Sequence, residues 1–532
     1  MSKNPESANM NQDSKQETAI GTKEGKNINK KFMRADILGV ILFLPLVLVA
    51  NADSASLTAN QVMIMADMGV TVVIFGWLSG LGILSQGIFT FLFGYLSDKY
   101  SRKWLLIMGG STWALATFLF CTSQSIPMLF VARLVGTFGL GAISPVTFSL
   151  LSDMFPSEKR SNSFAWWGIA TTIGGLLGGS LGLAFNKIDF EKMDPTWNIV
   201  QQMNYLREYE ADKIIFWRAS YLLIGILGIA CSLICLIVKE PKRGSREKQL
   251  RESLATDELK YSYKIKKSDL KYIFTRASNF WLIFNFFDVI VTGFLLSNII
   301  LFINSEMRFG FDDTVSILQL LTFAIPAVGL GFFGQFYFSN QGDKRVKNGD
   351  PAGRVKVAIK CGIIHVPFFV LAMLSVPNKA NSTFFLGTVV VPTWLFWVLL
   401  LVIGVILGIG LMYSLGIAPN WYASLIDVNL PEHRGTMLAT AAFLDTIGRS
   451  FGAIFGGIFI DFFVKSGHSY PISMSMLWMA IIFGAASALM WAPIYKYCNR
   501  DFAYIQEMLE KRGLELKKRI DGERDASIEE AT

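Results

Sequence analysis

The sequence predicts an all-α polytopic membrane protein: twelve transmembrane helices in two six-helix bundles related by a pseudo-twofold repeat. Three observations predict it. The 532 residues are 52% hydrophobic and only 17% charged, with 43 Phe, too little charge for a soluble surface of this size. The apolar residues gather in twelve long runs, matching the roughly 20 residues that a helix needs to cross a bilayer. The two halves also carry the same marks at a constant offset of 274 residues. Pro145 matches Pro419, Asp153 matches Asp427, and Arg160 matches Arg434; Gly174, Gly178 and Gly182 match Gly448, Gly452 and Gly456. These glycines recur every fourth residue on one helix face, where they let two backbones approach closely.

Residues 1–33 are rich in Asn, Lys, Ser and Glu without apolar periodicity, and read as a disordered cytoplasmic tail. The apolar segments then fall near 36–58, 70–96, 104–123, 127–153, 161–185, 216–238, 276–304, 314–338, 356–376, 390–426, 435–464 and 471–496. They form an N-terminal bundle over 34–238 and a C-terminal bundle over 275–497, joined by a charged cytoplasmic linker at 239–274. The tail at 498–532 spaces Phe502, Ile505, Leu509, Leu516 and Ile520 among dense charge, the pattern of an amphipathic helix on the membrane or the protein body. Lys and Arg mark the connections at 99–103, 154–160, 239–275, 340–356 and 427–434 and are scarce at 59–69, 124–126, 305–313 and 377–389. By the positive-inside rule both termini are cytoplasmic. The plasma (inner) membrane is the expected location.

The formal net charge of +8 does not imply nucleic acid. Its basic residues sit in alternate loops, where topology and anionic lipid headgroups account for them. Cys121, Cys231, Cys235 and Cys361 lie in apolar segments and Cys498 at a helix end, so all five read as reduced packing residues. His365, His433 and His468 lie in separate segments and form no metal set. No glycine loop ends in Gly-Lys-Ser/Thr. Neither an enzyme nor a cofactor or metal is expected.

The stretch Gly94-Tyr-Leu-Ser-Asp98-Lys99-Tyr-Ser-Arg102-Lys103 closes one apolar run and opens the next. Its shortness predicts a close helix hairpin, with Gly94, Asp98, Arg102 and Lys103 as candidate conformational-gate residues. Polar residues without a repeat counterpart are the candidates for chemistry. Arg133 aligns with Leu407. An ionised group mid-membrane costs on the order of 3 kcal/mol or more, so Arg133 should face a cavity or partner, or cap carbonyls. Asp53 is either a cavity carboxylate able to take and release a proton, or an ordinary boundary residue at a helix end. Asn51, Asn285, Asp288, Asn420, Trp421, Tyr422, Asp445 and Arg449 are candidate substrate-cavity residues. Of these, Asp445 and Arg449 are four apart and can pair along one helix.

Several of these stretches resemble known ones. The spacing from Gly94 to Lys103 resembles the signature between helices 2 and 3 of the major facilitator superfamily, with Ser101 where a second glycine is usual. The run Arg133-Leu-Val-Gly136-Thr-Phe-Gly139-Leu-Gly141 resembles that superfamily's helix 4 motif. Asn51-Ala52-Asp53 is similar to the helix 1 signature of the Spinster-like transporters, as are Phe216-Trp217-Arg218-Ala219, Lys239-Glu240-Pro241-Lys242-Arg243-Gly244 and Asn348-Gly349-Asp350-Pro351. Ser54 stands where that family has arginine, and Gly141-Ala142 lacks the glutamate its helix 4 carries, leaving Asp53 with Arg133 as the proton-coupling couple. The resemblance implies a major facilitator fold working by rocker-switch alternating access. It implies transport, linked to protons, of a small amphipathic solute, a lysophospholipid or sphingolipid-like molecule. The alternatives are a facilitator or proton-coupled transporter of a hydrophilic organic anion, sugar phosphate or drug, and a non-transporting membrane sensor of the same fold. Membrane lipids, the solute and protons are the expected partners of a monomer.

Overall fold

The computed structural model describes residue 39 and residues 41–529, apart from 155–156, 186–192, 195–196, 241–275, 310–313 and 430. The expected tail at 1–33 and nearly all of the linker lie outside the described residues.

Each of the twelve expected segments forms a helix. In the first half they are α1 (Ile41–Ala59), α2 (Val72–Lys99), α3 (Arg102–Cys121), α4 (Ile126–Met154), α5 (Ser157–Phe185) and α6 (Trp217–Ile234). In the second half α7 comes in two pieces (Ala277–Phe284 and Phe287–Ser305), followed by α8 (Thr314–Lys347) and α9 (Gly353–Leu374). Next come α10, also in two pieces (Thr393–Leu415 and Ile417–Asp427), α11 (Pro431–Lys465) and α12. The last begins as Pro471–Met479, widens into a π-turn at Ala480–Gly484, and continues as Ala485–Glu529 without a break into the tail. Among the described residues, eleven helices are long and apolar enough to cross a bilayer. The twelfth, α5, runs over Ser157–Phe185 and includes the apolar stretch Ile173–Phe185.

The glycine stripes do what their spacing requires. A methyl on Gly174 would lie 2.2 Å from the Leu48 carbonyl oxygen, and one on Gly178 2.0 Å from that of Ala52, so α5 rides directly on the backbone of α1. In the second half a methyl on Gly452 would lie 2.1 Å from the Ile290 carbonyl oxygen and one on Gly456 would run into the Phe294 ring, so α11 rides on α7. Both breaks fall in the second half. At Asn285-Phe286 the chain leaves helical geometry, and the freed Leu282 carbonyl accepts a 2.7 Å hydrogen bond from the Trp421 indole on the second piece of α10.

The ends differ. One, called here the basic end, carries Arg102, Lys103, Arg354 and Lys356. At the other, the far end, the 186–215 loop contains a helix that sequence patterning did not indicate, Ile199–Tyr209. Asn198 caps it by accepting from the Val200 and Gln201 amides, and the Gln201 side chain returns to the Asn198 amide. Contacts between the halves gather toward this end. Thr58 donates to the Leu296 carbonyl, Gln61 to Asn298, and Ser450 of α11 to the Gly80 carbonyl of α2 at 2.7 Å. Gly76 abuts the Ala453 carbonyl and Gly457 that of Val72.

Candidate functional site

α1 runs six residues past Asp53, so Asp53 is not a boundary residue; it is buried, at 3% exposure. Arg133, likewise buried, reaches across from α4 and places Nη1 2.9 Å from Asp53 Oδ2. Gly82 of α2 makes room for this guanidinium, since a methyl there would lie 2.9 Å from Arg133 Nε. The pair borders a small pocket lined also by Trp113, Thr117, Phe120 and Gly136. Two N–H donors of its lining residues, Arg133 Nε and Trp113 Nε1, have no hydrogen-bond partner. The Tyr221 hydroxyl of α6, buried and also unpartnered, is close enough to feel both charges. Pairing a carboxylate with a guanidinium out of water offsets the cost of burying each, so removing either partner leaves a costly unpaired group behind.

In the second half, Arg449 Nε lies 3.0 Å from Asp445 Oδ2 along α11, with the arginine side chain 44% exposed. Gly175, its counterpart in the repeat, faces open space. Tyr422 stands near this pair. Asn285 is buried, accepts from the Ser487 hydroxyl and has no partner for its Nδ2. Asn51, half-buried, donates to the Val47 carbonyl one turn back. The Asp288 and Asp98 side chains lie outside the described residues.

Asn420 and Trp421 require a correction. Both are buried inside the second bundle, where Asn420 donates to the Phe338 and Gly416 carbonyls and Trp421 to Leu282. They fasten α10 to α8 and α7 rather than walling a cavity. Their polar atoms compensate for irregular backbone, a need that residue type alone does not reveal. His365, buried, has Nδ1 3.1 Å from the Cys361 carbonyl and is structural, and the five cysteines are free and buried.

At the basic end Arg102 is almost wholly buried. Its amide and Nε donate to Glu240 Oε1 at 2.9 and 3.1 Å, its Nη1 reaches Ser149, and Lys103 donates to the Leu236 carbonyl. Burial alone would push the Glu240 carboxyl up, but the Ser101 hydroxyl and the Arg102 amide and guanidinium outweigh it and hold Glu240 below its usual range. A methyl on Gly94 would lie 3.9 Å from Pro145 Cβ. The second half repeats the device. Arg354 pairs with Asp343 at 2.7 Å and with Asp427. Its signal was present in Gly342-Asp343-Lys344-Arg345 followed by Gly353-Arg354, the same residue types as Gly94 to Lys103 with a longer spacer.

The model of the Major Facilitator Superfamily matches residues 42–453. The chain belongs to the Major Facilitator Superfamily. It is therefore an integral, multi-pass membrane protein. Among curated proteins it is 25% identical over 172 residues to Protein spinster of Drosophila melanogaster, covering 32% of this chain and 24% of that one. It is 27% identical over 163 residues to Multidrug resistance protein 3 of Bacillus subtilis, covering 31% and 30%. It is 30% identical over 146 residues to a triacylglyceride transporter of Mycolicibacterium smegmatis, covering 26% and 25%. These matches thus span about a quarter to a third of each relative's length. Among solved structures, a bacterial homolog to the human lysosomal transporter Spinster, inward-facing and unoccupied, superposes with a TM-score of 0.66 at 16% identity, covering 88% of this chain and 98% of that one. The nucleoside transporter NupG superposes at 0.54 and 12% identity, covering 87% and 99%. At these identities the superpositions establish the fold.

Proposed function

We propose that this transporter moves a small amphipathic solute, a lysophospholipid or sphingolipid-like molecule, by rocker-switch alternating access, with a proton carried at Asp53. The buried Asp53–Arg133 pair carries the reading. When Asp53 is ionised it occupies Arg133. When Asp53 takes a proton, Arg133 loses its counter-charge and gains an anion's worth of attraction for a headgroup phosphate, whose oxygens suit a guanidinium fork. Trp113 and Phe120 beside it offer apolar surface to the rest of such a solute. On the far side of the cavity Arg449 supplies a second cation, with Tyr422, Asn285, Asp288 and Asp445 as further wall residues. The likeness to Spinster proteins supports the lipid-like class. With the basic end taken as cytoplasmic by the positive-inside rule, both termini lie there and closure at the far end corresponds to an inward-facing state. Gly94, Asp98, Arg102 and Lys103 then act at the inner gate of a monomer in the plasma (inner) membrane.

A hydrophilic organic anion, sugar phosphate or drug is the second reading. The half-exposed Asp445–Arg449 pair favours it, because it gives that wall a polar character.

Proteoliposome flux of a lysophospholipid, with and without a pH gradient, tests both. Gradient-driven flux that is lost in Asp53→Asn is the expected result. Flux indifferent to gradient and mutation would keep the solute and remove the proton from Asp53. Protein that moves nucleosides or organic anions and no lysolipid would leave the second reading.

A further inference from the structure

The stretch that follows α7, Ser305–Phe309, is buried throughout, with Glu306 at 3% and Arg308 at 1% exposure. It faces two ways. Glu306 turns into its own half, where Oε1 accepts from the Ile472 amide at 2.5 Å and Oε2 from the Ser473 amide at 3.0 Å and the Ser473 hydroxyl. Its carboxylate thereby satisfies orphan amides in the first turn of α12, at the positive end of the helix dipole. Arg308 turns to the other half. Held in left-handed backbone at φ 60, it donates Nη2 to the Asp194 and Trp197 carbonyls at 3.1 and 2.9 Å. Gln202 of the same loop donates to the Ser305 and Trp197 carbonyls. Ser305, Glu306 and Arg308 thus fasten α7, α12 and the first half's long loop together at the far end.

We propose that Glu306 is a second proton-binding site, separate from Asp53, which takes up a proton as the two halves close at the outer end and releases it as they part. The inference rests on the alternating-access reading above. Parting the halves strips the 193–210 loop from Ser305 and Arg308 and lets water reach the stretch, so the two states differ in how Glu306 is solvated. In the closed state burial pushes Glu306 up to about 7, against the opposing pull of the Ser473 hydroxyl, the Ile472 and Ser473 amides and Arg308. A hydrated glutamate titrates near 4.5. The closed state therefore holds the proton more tightly, and linkage favours closure as pH falls through 7 and withdraws that support above it.

The charged and titratable neighbours are few. Arg308 faces Glu306 from its own stretch; Tyr470, ahead of α12, and Asp194, from the first-half loop, act on Arg308. Lys379 meets the stretch through its amide, on the Met307 carbonyl, and sends its amine to the Ser316 hydroxyl of α8. His468 packs edge-on against Phe463.

Spin labels at Val200→Cys and Val390→Cys, exposed positions on the two halves at this end, report their separation by pulsed electron resonance. The five native cysteines are buried and should not compete for the label. From pH 8 to pH 6 the ratio of closed to open populations should rise about tenfold. Glu306→Gln should lose this dependence and stay closed at both values, Glu306→Asp should keep it, and Asp53→Asn should keep it. A pH shift that survives in Glu306→Gln, or one abolished by Asp53→Asn alone, overturns the proposal. So does a native protein that shows both separations in proportions that pH does not change. A single separation at every pH, with and without lysophospholipid, overturns alternating access and this proposal together.

Discussion

The two halves share a scaffold and differ in how they hold charge. In the first half, aspartate and arginine come from different helices, α1 and α4, and meet in the interior at 2.9 Å. In the second, both lie on α11, four residues apart, with the arginine nearly half exposed. A buried pair between helices couples their positions and punishes the loss of either partner. A pair along one exposed helix face adds a few tenths of a kcal/mol and leaves its arginine available to something else. In the proposed function the first pair is the coupling element and the second belongs to the binding surface, within one repeated architecture.

The scaffold should break first, and equally in both halves. Gly178→Ala and Gly452→Ala each drive a methyl into a backbone carbonyl at about 2 Å and should cost at least the ~1–3 kcal/mol of overpacking, seen as a large fall in melting temperature in detergent. Gly175→Ala, facing open space, should be neutral or stabilising. Unequal losses at Gly178 and Gly452 would mean that the stripes are not equivalent. The charge pairs should then separate the halves. Arg133→Leu strands a buried carboxylate and should cost roughly 3–5 kcal/mol, whereas Arg449→Leu should cost about 0.5 kcal/mol or less. Double-mutant cycles with Asp53→Asn and Asp445→Asn sharpen this, and similar coupling energies for both pairs would erase the contrast. The smallest effect lies at the basic end. Because Glu240 is held below its usual range in the folded protein, its pairing contributes stability above about pH 4.5 that is lost as pH falls below it. Glu240→Gln should therefore flatten the acid limb of a melting-temperature profile slightly and leave the neutral region lower.

Twelve helices were legible because a bilayer demands long apolar runs, and the helix-on-helix contacts of α5 and α11 were legible because glycine every fourth residue has one geometric meaning. Asp53 and Arg133 stood out as charges without a repeat partner, and an unpaired charge inside hydrocarbon needs a counter-charge. What escaped was set by rotation and distance. Asn420 and Trp421 look like cavity polar groups until the breaks in α10 and α7 show which carbonyls take their hydrogens. Glu306 and Arg308 sit in a short polar connection of the kind that normally lies in water. Nothing local in Glu-Met-Arg-Phe shows that α12 and a loop a hundred residues upstream close over it. Tyr221 and Trp113 carry no motif or repeat mark, and the fold alone brings them to the charged pair.

The break in α7 and its fastening to α10 carry a further consequence. A carbonyl released from its helix cannot face lipid tails, so the Leu282–Trp421 bond fixes which side of the second bundle is turned away from the bilayer. It also splices the lower pieces of two jointed columns into one strut, while the corresponding columns of the first bundle, α1 and α4, run unbroken through their described residues. The molecule thus sets a solid jamb in the first bundle against a jointed leaf in the second, latched at the far end by the hydrogen bonds of Thr58, Gln61 and Ser450.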